Sequence, residues 1–429
     1  MKALIFYIVI VLPLLGGCKA QAGFDSFTNE FVKTYQSLHI ADLQLSYVDN
    51  LQQLPNAAGI EKQMEFFNHC RAAIAKYKRQ ELTPSQQTDY DLIVYESKLN
   101  LEKLALCKKW LAVKPAAIPS TGLYTIPLGK EWYAWFLKRW VADEVTPDEI
   151  YAFGMKEVES VKKHIEDIRL ITGMGEDSFY TYLNNASFFV TDAKVIQHAF
   201  ESVRDTVLHH LPGLFTTTNI PRVEIKQGAN QALAQTPGYY NGNTFYYNLF
   251  DKPYNKRQFD WLFIHEAIPG HHYQFSITGK LKLSKVQQLF YYLGYAEGWG
   301  AYAEYLGKDL GVYKTPYDEL GKWEWDIVRS VRVPLDVGIN YYGWTDEQAL
   351  AFWKKNIRGQ DDIAMREINR IKRWPAQVVT YKYGAAKILQ WRDELQQKEG
   401  SRFDIKAFHD KILNHGTLPF FMVEKNVMG

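Results

Sequence analysis

The stretch Thr146–Ile168, TPDEIYAFGMKEVESVKKHIEDI, carries the pattern that decides the fold class. Thr146 can cap a helix N-terminus, Pro147 suits the first helical position, and Glu149 can reach back to the cap amide. Behind them Ile150, Val158, Val161, Ile165 and Ile168 keep a helical spacing over about five turns. The same Thr cap opens Thr83-Pro84-Ser85-Gln86, Thr315-Pro316-Tyr317-Asp318 and Thr345-Asp346-Glu347-Gln348, the first two again with Pro at the first helical position. Strand signals are few: Arg222–Gln227 alternates, and Gly238–Phe250 is β-prone around an Asn241-Gly242 turn. The pattern predicts a mainly α chain with one small β-sheet (α+β). It marks no firm boundary between residues 26 and 429, so one large helical domain is expected, with a bilobal division around a cleft left open.

The chain has 429 residues, and 50 Lys+Arg against 48 Asp+Glu leave a formal charge of +2. That balance argues against a nucleic-acid partner, which calls for a basic excess. Aromatic residues make up 15% of the chain. They could form an aromatic core, a stacking surface for sugars or a groove for a peptide, and composition does not choose.

Residues 1–17 read as an export signal. Lys2 supplies the positive start, and the apolar run Ala3 to Leu15 is shorter than the roughly 20 residues a spanning helix needs. Leu15-Gly16-Gly17-Cys18 resembles the lipobox of bacterial lipoproteins, in which the Cys is acylated. Cys18 is therefore the expected lipidation site, 18–25 a short linker, and the location the bacterial cell envelope, anchored to a membrane and facing the periplasm or cell surface. Only Cys70 and Cys107 then remain. They could form one disulfide but no framework, so stability must come from the core.

Three of the 11 His lie in His265-Glu266-Ala267-Ile268-Pro269-Gly270-His271-His272. A Glu beside the first His resembles the zincin motif, in which two His one helical turn apart bind Zn²⁺ and the Glu takes a proton from water. The spacing does not suit a plain helix. Six residues rotate the chain by roughly 240°, so His265 and His271 would face different ways. His272 returns to the same face about 10 Å further along, too far for two ligands of one ion. Pro269 removes a backbone hydrogen bond and Gly270 tolerates positive φ, so two residues can loop out and bring His271 one effective turn from His265. A third ligand is expected from the segment Tyr295–Glu304, after a turn at Gly279. Glu297 is the better ligand there, and Glu304 is placed to orient a His by accepting its free ring N–H. His265 follows the apolar run Trp261-Leu262-Phe263-Ile264, where an ionisable pair is costly unless metal or partners satisfy it.

Together with these residues, Gly122–Pro127, Gly129-Lys130, Glu297-Gly298-Trp299, Tyr302-Ala303-Glu304, Arg329, Arg332, Asp336, Gly338, Gly343-Trp344-Thr345 and Arg370 through Trp374–Gln377 to Tyr381 make the chain similar to a known family. It resembles the bacterial proteins grouped as domain of unknown function 885, placed among zincin-like metallopeptidases. The resemblance covers most of the mature chain and implies a gluzincin-type architecture around a central cleft. It also implies His265, His271 and Glu297 as zinc ligands, since in related gluzincins the second His follows Gly and the third ligand is a downstream Glu. His272 is the runner-up ligand. Two positions depart from the family pattern: Asn340 and Ala376 stand where His and Gly are expected.

The implied activity is zinc-dependent hydrolysis of peptide bonds in small peptides. Glu266 would be the general base, and Tyr381 a donor to the oxyanion, as related peptidases use a Tyr from a late helical segment. Arg370 could bind a substrate carboxylate; Arg329 and Arg332 could do so too, or all three could pair with Asp336 and Glu367. The β-prone segment offers an edge for an extended peptide, with Tyr239, Tyr240, Phe245 and Tyr247 walling it or packing inward. Rival readings are a glycan- or peptide-binding surface lipoprotein without catalysis and a metal-dependent hydrolase of non-peptide amides. Oligomeric state has no sequence signal.

Overall fold

A computed structural model describes residues 14–429 apart from 235 and 251, with side chains from residue 23 onward. Residues 1–13 of the expected signal and the Cys18 side chain lie outside the described residues. The helix Leu14–Ser37 runs through 18–25, the stretch expected to be a linker. Among the described residues no helix is long and apolar enough to cross a membrane.

The chain divides into two compact units. One holds the described residues up to Asp42 with Gln53–Val113 and Leu283–Phe290; the other holds Leu43–Gln52, Lys114–Lys282 and Tyr291–Gly429. The first is built on the helices Leu14–Ser37, Ala57–Ile74 and Pro84–Val113. Phe31 packs on Phe66 within it, and Cys70 and Cys107 are buried as free thiols rather than a disulfide.

The second unit holds the candidate site residues. Its strands are β1 (Phe189–Val190), β2 (Glu224–Gln227), β3 (Gly238–Asn241), β4 (Thr244–Tyr247) and β5 (Tyr254–Asn255). The helices that matter below are α1 (Pro147–Thr172), α2 (Ala193–Leu214), α3 (Phe259–Glu266), α4 (His271–Thr278), α5 (Leu293–Ala303), α6 (Pro316–Val337), α7 (Asp361–Arg373) and α8 (Val379–Glu399). All four Thr residues singled out in the sequence start helices. At Thr146, Thr315 and Thr345 the hydroxyl accepts the amide three residues on, and the side chain there accepts the Thr amide in return. Thr83 and Gln86 exchange the same pair of bonds.

Helix α1 buries Ile150, Val158, Val161 and Ile168 on one face, each worth about 1.5–3 kcal/mol relative to exposure. That face packs on α6. Gly154 sets the approach, because a Cβ there would lie 2.6 Å from Pro334 Cδ and 2.7 Å from Val333 Cγ1. Helices α5 and α8 meet at facing glycines: a Cβ on Gly298 would stand 2.5 Å from Gly384 Cα, and the reverse is equally tight. Any side chain at either position would push the two helices apart.

The sequence suggested one small sheet; two form. The larger has the order β2-β4-β3, with β2 parallel and β3 antiparallel to β4. Its hairpin turn is Gly242-Asn243, both at positive φ, one residue later than the Asn-Gly signal indicated. The second sheet joins β1 to β5 over two residues each, too short to leave a period-2 signal in the sequence.

Candidate metal centre

Helix α3 ends at Glu266 and α4 starts at His271, so the His-Glu segment is a broken helix rather than a continuous one. Ala267 N–H still donates to Phe263 O at 2.8 Å. The next bond across the break runs from Tyr273 N–H to Ala267 O at 3.1 Å, six residues back instead of four. Two residues are thereby looped out, and the Ile268–Pro269 peptide is cis. The expected positive φ at Gly270 is not found: its φ is −74°. Glycine is needed there for close approach, since a Cβ would stand 1.8 Å from His265 O and 2.3 Å from Ile264 O. Trp299 Nε1–H donates to Pro269 O at 2.8 Å and ties the loop to α5.

The break brings the two imidazoles together at right angles, with ring centres 4.8 Å apart. Helix α5 adds Glu297, whose Oε2 lies 3.7 Å from His265 Nε2 and 3.4 Å from His271 Nε2. The three ligand atoms lie within 4.8 Å of one another, and no other such group of three His, Cys, Asp or Glu occurs among the described residues. These separations are long for N–H···O bonds. Two ligands about 2.0–2.1 Å from one tetrahedral ion stand roughly 3.3–3.4 Å apart. The His271–Glu297 pair has that spacing, the His265–Glu297 pair is slightly wider, and the two imidazoles with a carboxylate are a donor set that fits zinc. The other ring nitrogen of His271, Nδ1, is buried with no hydrogen-bond partner among the described residues, unlike Nδ1 of His265.

A buried layer fixes the first imidazole. His265 Nδ1 lies 2.8 Å from Glu304 Oε1, and Glu304 in turn receives Arg329 Nη1 on both oxygens at 2.5 and 2.7 Å. A proton on Nδ1 leaves the Nε2 lone pair facing His271 and Glu297. Gly300 makes room for this ring, since a Cβ there would come within 2.9 Å of His265 Cε1. Burial disfavours a charged His265, but the carboxylates of Glu297 and Glu304 outweigh it and raise the ring to about 9. Burial likewise opposes ionisation of Glu297, yet the two imidazoles hold its carboxyl well below the usual range. Such a site gathers positive charge, and a cation there displaces protons. Glu266, the next residue along, is pushed up by burial while His265 and His271 pull it down.

The runner-up ligand, His272, lies outside this group. It is fully buried, with Nε2 2.8 Å from Pro221 O and Nδ1 3.2 Å from Tyr240 Oη. Tyr381, on α8, stacks near His265 with ring centres 6.3 Å apart and feels the charge of Glu297. Of the three arginines weighed in the sequence, Arg329 pairs with Glu304 and Arg332 with Glu367 at 2.7 Å. Neither pairs with Asp336, whose two oxygens accept the Ala376 amide at 2.9 and 3.0 Å. Arg370 is the one that keeps an exposed edge.

Strand β3 is an edge of its sheet, and its two tyrosines part company because strand residues alternate. Tyr240 stacks on Phe275 and meets His272, whereas Tyr239 stacks on Tyr246. Phe245 and Tyr247 are buried and pack on Phe200 of α2. The sequence reading missed Phe275, which is 44% exposed and sits four residues after His271 on the same helix face, a spacing that could have found it. It also missed Gly300 and the Glu304–Arg329 pair, for which no local signal exists.

The two departures have different consequences. Asn340 Oδ1 accepts the Leu123 amide at 3.0 Å and its Nδ2 donates to Ile371 O, a structural clasp. Ala376 adopts φ +67°, the left-handed conformation that explains why glycine belongs there.

Two solved structures share this fold. One, described as a lipoprotein from Colwellia psychrerythraea, is 24% identical with a TM-score of 0.67, over 89% of this chain and 71% of that one. The other, described as a lipoprotein of unknown function from Shewanella oneidensis, is 18% identical with a TM-score of 0.69, over 95% of this chain and 100% of that one. No curated protein matches the sequence. The family model for the bacterial proteins of unknown function DUF885 matches residues 106–427, and the chain belongs to that family.

Proposed function

We propose that the protein is a zinc-dependent metallopeptidase with a zincin-like centre, acting on small peptides. One observation carries the reading: His265, His271 and Glu297 converge at ligand spacing, with His265 oriented by a buried Glu304–Arg329 pair. Zinc, when bound, supplies a Lewis acid and makes a nearby water a nucleophile at neutral pH. Glu266 takes the proton of the attacking water and passes it to the leaving amine; its burial makes it a stronger base than an exposed carboxylate. Tyr381, beside His265, donates its hydroxyl proton in a hydrogen bond to the developing oxyanion. The free edge of β3 pairs with an extended peptide, and Tyr240 and Phe275 wall that side.

The Leu15–Cys18 motif and the description of both similar structures as lipoproteins support an envelope location with a lipid anchor at Cys18. The activity is tested by digesting a peptide library with and without chelator and reading the products by mass spectrometry. Chelator-sensitive cleavage that disappears in Glu266→Gln is expected. Undiminished cleavage by Glu266→Gln removes the general-base role, and no cleavage of any peptide removes the reading.

A further inference from the structure

Three guanidinium groups draw on the single carboxylate of Glu367. Arg332 lies 2.7 Å from it and Arg366 2.9 Å, whereas Arg370 Nη1 is 4.0 Å away, beyond hydrogen-bond reach. Arg370 Nη2 instead donates to the neutral amide oxygen of Gln377 at 2.8 Å. Its Nε is buried without a hydrogen-bond partner among the described residues. A buried N–H left unmade is costly, and each such group in a folded protein calls for an explanation. Of the three arginines weighed in the sequence, Arg370 is the accessible one: its side chain is 21% exposed, against 4% for Arg329 and 3% for Arg332.

Its position joins it to the candidate metal centre. Gln377 bonds to Arg370 through its oxygen and to Tyr381 Oη through its nitrogen, at 3.4 Å. Tyr381 stacks near His265, and the charge of Glu297 reaches the Arg370 guanidinium. Arg370 also lies over the Trp374 ring, 5.4 Å from its centre, which holds the guanidinium plane in place.

We propose that Arg370 is a carboxylate-binding subsite for the peptide held at the metal centre, an assignment that rests on the peptidase reading for its substrate. A carboxylate taking the place of the Gln377 oxygen would meet Nη2 and the buried, unpartnered Nε on one edge of the guanidinium, the bidentate geometry its fork matches best. The carboxylate can come from a peptide C-terminus, which makes the enzyme release C-terminal pieces, or from an Asp or Glu side chain. A neutral peptide end leaves Arg370 as it stands.

The test is a binding measurement on the full-length Glu266→Gln protein, which holds peptides without turning them over. Acetylated tripeptide libraries, one as free acids and one as C-terminal amides, are each captured and quantified by mass spectrometry, with zinc and after chelation. At least tenfold enrichment of the acids assigns the C-terminus as the source, and enrichment of Asp- or Glu-containing amides assigns a side chain. In either case Arg370→Gln is expected to abolish the preference and Arg370→Lys to keep part of it. Equal capture of acids and of neutral and acidic amides overturns the proposal, and that comparison needs no arginine variant to fold. A carboxylate preference in a protein whose parent hydrolyses nothing leaves the subsite and removes the peptidase. Hydrolysis without any carboxylate preference does the reverse.

Discussion

His265 Nδ1 sits 2.8 Å from Glu304 Oε1, and both residues are shut off from solvent. This contact fixes which ring nitrogen faces the other two candidate ligands. Glu304→Gln keeps the shape but weakens the acceptor and leaves Arg329 without its carboxylate. Zinc affinity is expected to fall about 10–100-fold. Competition against a chromophoric chelator measures it, and an unchanged affinity contradicts the orienting role.

Gly270 lets the chain fold back on the end of α3. Gly270→Ala puts a methyl group 1.8 Å from a carbonyl oxygen that cannot retreat, so about 3 kcal/mol or more of stability is expected to be lost. Gly279→Ala is the control, since its nearest contact is Phe275 O at 3.3 Å. Urea unfolding of the two variants side by side should separate them clearly.

Ala376 holds a backbone angle that costs an L-residue roughly 1–2 kcal/mol. Ala376→Gly removes that cost and adds backbone entropy to the unfolded chain, for a net gain of up to about 1 kcal/mol. A lower unfolding midpoint in urea would mean that the methyl group packs better than its backbone angle suggests.

Burial lifts the Asp336 carboxyl to about 7, partly offset by hydrogen bonds such as that from the Ala376 amide. A carboxyl raised in the folded state binds its proton more tightly there than when unfolded. Its contribution is therefore complete below the unfolded value near 4 and is lost as pH rises through 7. Between pH 5 and 7 this group alone gives a slope of up to about −1.4 kcal/mol per pH unit. Asp336→Asn should flatten the stability profile over that range, measured as urea midpoints from pH 5 to 8; an unchanged slope assigns the dependence elsewhere.

Much of this was legible in the sequence. The four Thr caps and the Ile150–Ile168 stripe are local signals whose cause and effect lie within a turn or two, and all of them hold. Pro269 and Gly270 marked where two residues had to leave the helix, although glycine serves by lacking a Cβ and not by its φ. Contacts between distant segments were not legible. The sequence offered Arg329 two acidic partners, Asp336 and Glu367, and only packing of α6 against the end of α5 gives it Glu304 instead. Alternation along β3 was enough to send Tyr239 and Tyr240 to opposite faces, but which of them meets His272 and Phe275 depends on the packing of α4.

The most direct measurement is the metal content of full-length protein purified without added metal or chelator. One zinc per chain is expected in the parent and in His272→Ala, with loss in His265→Ala, His271→Ala and Glu297→Ala. Zinc absent from the parent, or retained in His271→Ala and lost in His272→Ala, contradicts the centre described here.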